Sequence, residues 1–250
     1  MEGIGVLYRR RRKVRRVSPA RDSVDEGTER KSSLVDDAYE AMRTAIRDST
    51  FAPGYQASEQ EIANRLGMSR TPVHEAVIRL QAEGLVEVLP RKGILIVALS
   101  PDDLREIYDV VIAIEGRAAE LIAALPQAER TANVKILDGW TDEMAAAEKR
   151  NDLQAWGNAD SAFHTALIQG ANNSRMSRII QTVNDQSHRL RMLTLNLRRG
   201  LDASVSEHRR IAQSIRFGNP ADAADAARQH RIRARDELLP LLARYGLKHL

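Results

Sequence analysis

The chain contains no cysteine. Disulfides, thiolate metal sites and cysteine nucleophiles are therefore excluded, and a reducing, cytoplasmic setting is the expectation. Any metal must be held by histidine and carboxylate. No uninterrupted apolar run approaches the roughly 20 residues of a membrane-spanning helix, and the basic block near the N-terminus has no apolar segment or cleavage site behind it. A soluble, unexported protein is expected. Strand signals are also missing after Val97, which confines any sheet to the first hundred residues. What is present is a globular composition: 250 residues, 43% of them hydrophobic, enough for two ordinary domains.

A net charge of +4 invites a nucleic-acid partner, but its distribution is uneven. Residues 9–16, RRRRKVRR, hold seven of the basic side chains, and subtracting them from +4 leaves the rest of the chain at −3. Within 34–97 there are seven Lys or Arg against nine Asp or Glu, a balance of −2. DNA binding must then rest on a local cationic face. Residues 1–33 lack apolar periodicity and read as a disordered basic tail, either a phosphate-binding arm or a solvated extension.

From Leu34 to Ser49 the spacing of Val35, Ala38, Tyr39, Met42, Ala45 and Ile46 predicts an amphipathic helix. Phe51 to Gly54 breaks it. Ser58 and Glu61 have the spacing of a capping box, and Ile62, Ala63 and Leu66 form one apolar edge before Gly67 stops the helix. Met68 plugs a turn, Ser69 caps a second helix, and Pro72 sits in its first turn. Val73, Ala76, Val77 and Leu80 must face inward, which leaves Arg70, Thr71 and His74 on the outer N-terminal face. That is where a recognition helix meets base edges and phosphates. The runs LVEVL and ILIV flank Pro90–Gly93 and predict a strand–turn–strand wing with Arg91 and Lys92 at its tip.

This run, SEQEIANRLGMSRTPVHEAVIRLQAEGLVEVLPRKGILIV, resembles the winged helix-turn-helix head of GntR-type bacterial transcription regulators. The resemblance implies that Gln60, Ser69, Arg70, Thr71, His74, Arg91 and Lys92 meet double-stranded DNA. His74 stands where the family usually has arginine. An uncharged imidazole supplies a hydrogen bond but no permanent charge, so weaker phosphate anchoring or an altered base preference is expected. Gly is common where Ser49 stands, a minor loop difference.

Beyond Ser100-Pro-Asp-Asp103, a helix start, six helices are predicted: to Leu125, then about 128–150, 152–170, 174–199, 202–217 and 220–245. The fold class expected is mostly α: the winged head at 34–97, then an antiparallel all-α bundle at 101–246. In the second of these helices Ile136, Leu137, Trp140, Met144 and Ala147 are expected inward. Polar residues interrupt three apolar stripes: Asp160 and His164 beside Trp156, Phe163 and Leu167; His208 among Val205, Ile211, Ala212 and Ile215; His230 among Ala223, Ala227 and Ala234. One such histidine is ordinarily a satisfied core residue. A carboxylate and three imidazoles together are costly to bury, and a divalent cation converts them into one neutralised cluster. One oxygen and three nitrogens suit Zn²⁺, Ni²⁺, Mn²⁺ or Fe²⁺. His74, His188 and His249 do not fit the cluster, and His188 reads as a polar wall beside the fourth helix's inner face.

The same constellation is similar to the ligand-sensing FCD domain of the FadR-type branch of GntR regulators. Its motifs are matched by Asp160-Ser-Ala-Phe-His164, by Glu207-His208 and by His230 in the last helix. The resemblance implies a metal at Asp160, His164, His208 and His230, a small carboxylate-bearing effector on it, a homodimer, and a transcription regulator rather than an enzyme. Val111 stands where that branch often has an arginine facing the effector. Arg191, with Asn184, Ser187 and Thr194 on one face of the fourth helix, is then either the replacement lining or a solvated face. Two identical heads imply a palindromic operator, and repression relieved by effector is the expected sign. A purely structural ion, or a metal-dependent enzyme activating water, remain the alternatives.

Overall fold

The computed structural model describes residues 26–195 and 201–244, with side chains from Leu34 onward except at 182, 190, 193 and 243. Helix α1 (Glu26–Arg47) begins eight residues before the expected start. Residues 26–33 carry no apolar stripe, and a polar helical extension is invisible to hydrophobic periodicity. The basic block at 9–16 lies outside the described residues.

The head comprises α1, β1 (Gln56–Ala57), α2 (Glu59–Leu66), α3 (Arg70–Ala82), β2 (Val86–Leu89) and β3 (Gly93–Ile96). Ser58 and Glu61 form the expected reciprocal capping box, and Gly67 ends α2 in the left-handed region at φ 67°. Ile62, Ala63, Val73, Ala76, Val77 and Leu80 meet Ala38, Met42 and Ile46 of α1 in one apolar core. The short β1 lacked a sequence signal. It pairs antiparallel with β3, giving the order β1-β3-β2. Gly93 is required there: at φ 92° a Cβ would lie 2.4 Å from the Ala57 carbonyl oxygen.

The bundle consists of α4 (Pro101–Ala123), α5 (Gln127–Lys149), α6 (Leu153–Gly170), α7 (Ser174–Thr194), α8 (Leu201–Arg216) and α9 (Pro220–Arg244). Ser100 and Asp103 box the start of α4, and Asn219 accepts from Asp222 N–H at the start of α9. α4 packs along α9 and across α6 and α7, while α5 packs between α6 and α8. Among the described residues no strand follows Ile96 and no helix is long and apolar enough to cross a membrane. One expectation fails in α5. Val134, Leu137, Thr141, Met144 and Ala147 face the bundle, whereas Ile136 and Trp140 are 53% and 40% exposed. Two apolar stripes interleave on this helix, and the positions of α6 and α8 select which is buried.

Among the described residues two polar contacts link bundle and head. Arg43 of α1 pairs with Asp185 of α7, and Arg189 of α7 donates to the Val97 carbonyl at 2.8 Å, just where β3 passes into α4.

Candidate functional site

At the start of α3, Arg70, Thr71 and His74 are exposed, while Pro72 and Val73 behind them are buried. Ser69 occupies the N-cap position but makes no side-chain cap bond, contrary to expectation. Its hydroxyl stays on the exposed face. Glu59 organises the pair beside it: Arg70 Nε donates to one carboxylate oxygen and His74 Nδ1 meets the other, each at 2.8 Å. Hydrogen bonding to His74, opposed by partial burial and assisted by Arg70, holds the Glu59 carboxyl below its ordinary range. Gln60 is exposed on α2 and bonds Asn64 at 2.9 Å. Arg91 and Lys92 are exposed at the wing tip, where Gln56 Nε2 donates to the Lys92 carbonyl at 2.6 Å and ties the wing to β1. Glu59 was missed in the sequence because its role depends on α2 crossing α3. Ile78 was missed too. It is 53% exposed and falls on the Thr71–His74 face by its spacing.

Asp160, His164, His208 and His230 converge in the bundle, all buried, with one candidate ligand atom from each lying within 4.8 Å of the others. The three Nε2 atoms form a near-equilateral triangle of 3.2, 3.2 and 3.3 Å. Asp160 Oδ1 lies 3.7 Å from His208 Nε2 and 3.8 Å from His164 Nε2. Ligands each about 2.0–2.1 Å from one ion stand about 3.0–3.4 Å apart, so the three nitrogens fit a shared cation.

The opposite ring edges explain why that fit is chemical as well as geometric. His164 Nδ1 is 3.0 Å from Glu115 Oε2, His230 Nδ1 is 2.7 Å from Glu207 Oε2, and His208 Nδ1 is 3.0 Å from the Met144 sulfur. A proton on each Nδ1 would leave three Nε2 lone pairs aimed at the same point. Three lone pairs facing one another are repulsive unless a cation sits between them. Phe163 stacks on His208 with ring centres 3.9 Å apart and fixes its plane. Burial, reinforced by the neighbouring imidazoles, pushes His208 and His230 well below the ordinary histidine range. Burial alone would raise Asp160, but Arg191 at 2.7 Å and His164 outweigh it and hold the carboxyl well below its usual range.

Glu115 is the principal site residue missing from the sequence-based expectations. It is fully buried, orients His164, and accepts from Arg231 through both oxygens, Nε at 2.7 Å. An acid inside an apolar stripe was the available signal.

The three effector candidates separate. Arg191 is buried against Asp160 and Ser187 is buried, so the solvated-face reading fails for them. Asn184 instead lines a cleft of about 350 Å³ with Arg43, Arg47, Ser161 and Thr165. His188 is buried and is not one of the four converging residues, and His249 lies outside the described residues.

A winged helix-turn-helix head joined to an all-helical domain is the architecture of a DNA-binding regulator, here with a buried Asp–His₃ cluster in the helical domain. Residues 34–96 match the model for bacterial regulatory proteins of the gntR family, and residues 106–233 match that for the FCD domain. The chain is 54% identical over 134 residues to an uncharacterized HTH-type transcriptional regulator of Agrobacterium vitis, covering 54% of this chain and 78% of that one. It is 30% identical over 193 residues to the uncharacterized regulator YdhC of Bacillus subtilis, covering 77% and 83%. Among solved structures, Escherichia coli McbR/YncC superposes with a TM-score of 0.72 at 16% identity, over 83% of this chain and 98% of that one, a likeness of fold. The chain belongs to the GntR family of transcription regulators, with an FCD C-terminal domain.

Proposed function

We propose that this regulator is a dimeric repressor whose grip on a palindromic operator is set by a small carboxylate-bearing metabolite. Asp160, His164, His208 and His230 would hold a divalent cation, Zn²⁺, Ni²⁺, Mn²⁺ or Fe²⁺, which supplies a coordination position for the effector carboxylate. Arg191 and Ser187 flank it. The observation that carries the reading is the convergence of three Nε2 atoms 3.2–3.3 Å apart, with Asp160 beside them. Two similar proteins are named as repressors, GlaR of E. coli at 24% identity and a probable D-xylose utilization operon repressor of Paenarthrobacter nicotinovorans at 29%. By linkage, an effector that weakens operator binding must bind the DNA-bound form less tightly.

Native mass spectrometry with elemental analysis tests this directly. A dimer with one divalent ion per chain is expected, and His208→Ala should lose the ion and the effector response together. A metal-free, ligand-free monomer would overturn the proposal. Loss of the ion with melting but an intact effector response would make the metal structural, and turnover of a bound acid would favour an enzyme.

In the head, Arg70→Ala is expected to weaken binding to an operator selected from random DNA by about 1–3 kcal/mol. Unchanged affinity in gel shifts at fixed salt would remove Arg70 from the reading face.

A further inference from the structure

Three arginines are buried to 5% exposure or less among the described residues: Arg189, Arg191 and Arg231. Arg191 faces Asp160 and Arg231 faces Glu115. Arg189 faces no carboxylate. Its hydrogen bond runs from Nη2 to the Val97 carbonyl, while Nε and Nη1 are buried without a partner. The acid one helical turn earlier, Asp185, is taken by Arg43 of α1. Burial pulls Arg189 down to about 10, with no acid opposing it, so it remains charged at neutral pH. A buried, uncompensated cation is among the least favourable features a fold can hold. Ser187 Oγ and both ring nitrogens of His188 are also buried without partners, but by helical spacing they lie on the Arg191 side of α7. Burial, with Arg191 and Arg47 adding, pushes His188 down to about 3, so its ring is neutral and offers one N–H.

We propose that Arg189 is the centre of a second ligand site, for a small oxyanion, at the junction of head and bundle. A guanidinium presents a planar fork of donors that matches the two oxygens of a carboxylate or the edge of a phosphate. The site is separate from the metal centre: two residues along a helix is about 200° of rotation, so Arg189 and Arg191 leave α7 on opposite sides. Because the guanidinium is sealed against Val97, an entering anion displaces that contact. Occupancy then loosens the connection between wing and α4, and anion concentration becomes a second input to head placement.

The test is thermal melting of the full chain in inorganic phosphate and, separately, in sodium succinate, at constant ionic strength, with and without EDTA. The expected result is a saturable rise of roughly 2–4 °C with at least one anion. It should persist in EDTA and in His208→Ala, and vanish in Arg189→Met. Phosphate alone or succinate alone identifies the source of the oxyanion. Amide exchange at residues 97–100 should rise with the active anion. The proposal is overturned if neither anion gives a saturable shift, if the shift survives Arg189→Met, or if EDTA abolishes it, which would place the anion on the metal. Should Arg189→Met fail to fold, Arg189→Lys keeps the charge without the fork and should weaken the anion at least about tenfold; unchanged affinity overturns the site. Metal content, which decides the sensor proposal, is a separate measurement.

Discussion

Replacing Glu115 by alanine is expected to destabilise the protein by about 3–5 kcal/mol in urea unfolding, the cost of leaving one member of a buried ion pair alone. Glu115 is fully buried, and its carboxyl is held far below the ordinary range: burial pushes it up, but Arg231 and His164 prevail. Without it the Arg231 guanidinium, 2% exposed, has lost the carboxylate that balances its burial. The same substitution removes the Nδ1 partner of His164, and metal affinity should drop about 10–100-fold. Glu115→Leu combined with Arg231→Met separates the two effects. Stability should return close to wild type, because the stranded charge is gone, while metal affinity stays low. A single substitution costing under about 1 kcal/mol would show that this pair does not seal the site.

Lowering the pH from 7.5 to 5.0 should destabilise the metal-free protein, with His188 alone contributing about 2 kcal/mol. Burial is the first cause of the depressed ionisation of His188, His208 and His230 in the folded state. The unfolded chain binds a proton at each below about pH 6.5, so unfolding takes up protons and stability falls as pH falls. His208 and His230 act in the same direction. The depressed carboxyls of Asp160 and Glu115 act with the same sign, but only below about pH 4.5, where their unfolded forms begin to protonate. A urea midpoint that is flat between pH 7.5 and 5.0 would contradict buried, neutral imidazoles. Metal release should fall in the same window, because protons and the cation compete for the same Nε2 lone pairs.

The elements that the sequence made legible are those whose signals are local. Ser58 with Glu61, Gly67, Ser100 with Asp103, and Asn219 mark helix ends through bonds spanning a few residues, and each is in place. The Asp160–His164 spacing puts both residues on one face of α6 whatever surrounds it. Their meeting with His208 and His230 was inferable because each interrupts an apolar stripe. The failures share a different cause. Ile136 and Trp140 form a stripe as regular as the one that is buried, and Ser69 sits where a cap belongs without making one. β1 is two residues long and exists because β3 offers it an edge. Asn184 shares a helix face with Ser187 and Arg191, yet the end of α1 draws it into a different cleft.

By itself, then, the sequence determined the mostly helical class, the winged reading head, and the four residues able to share a cation. Helical period, capping and turn chemistry are properties of neighbours along the chain. Tertiary structure alone decided which acid partners which base. Glu59 reaches across to Arg70 and His74, Glu115 joins α4 to α6 and α9, and Arg189 is left without an acid because Asp185 is drawn to α1. The physical reason is that a charge in low dielectric is governed by whatever stands within a few ångströms of it. Those neighbours come from helices distant in sequence, so their identity is fixed only when the helices pack.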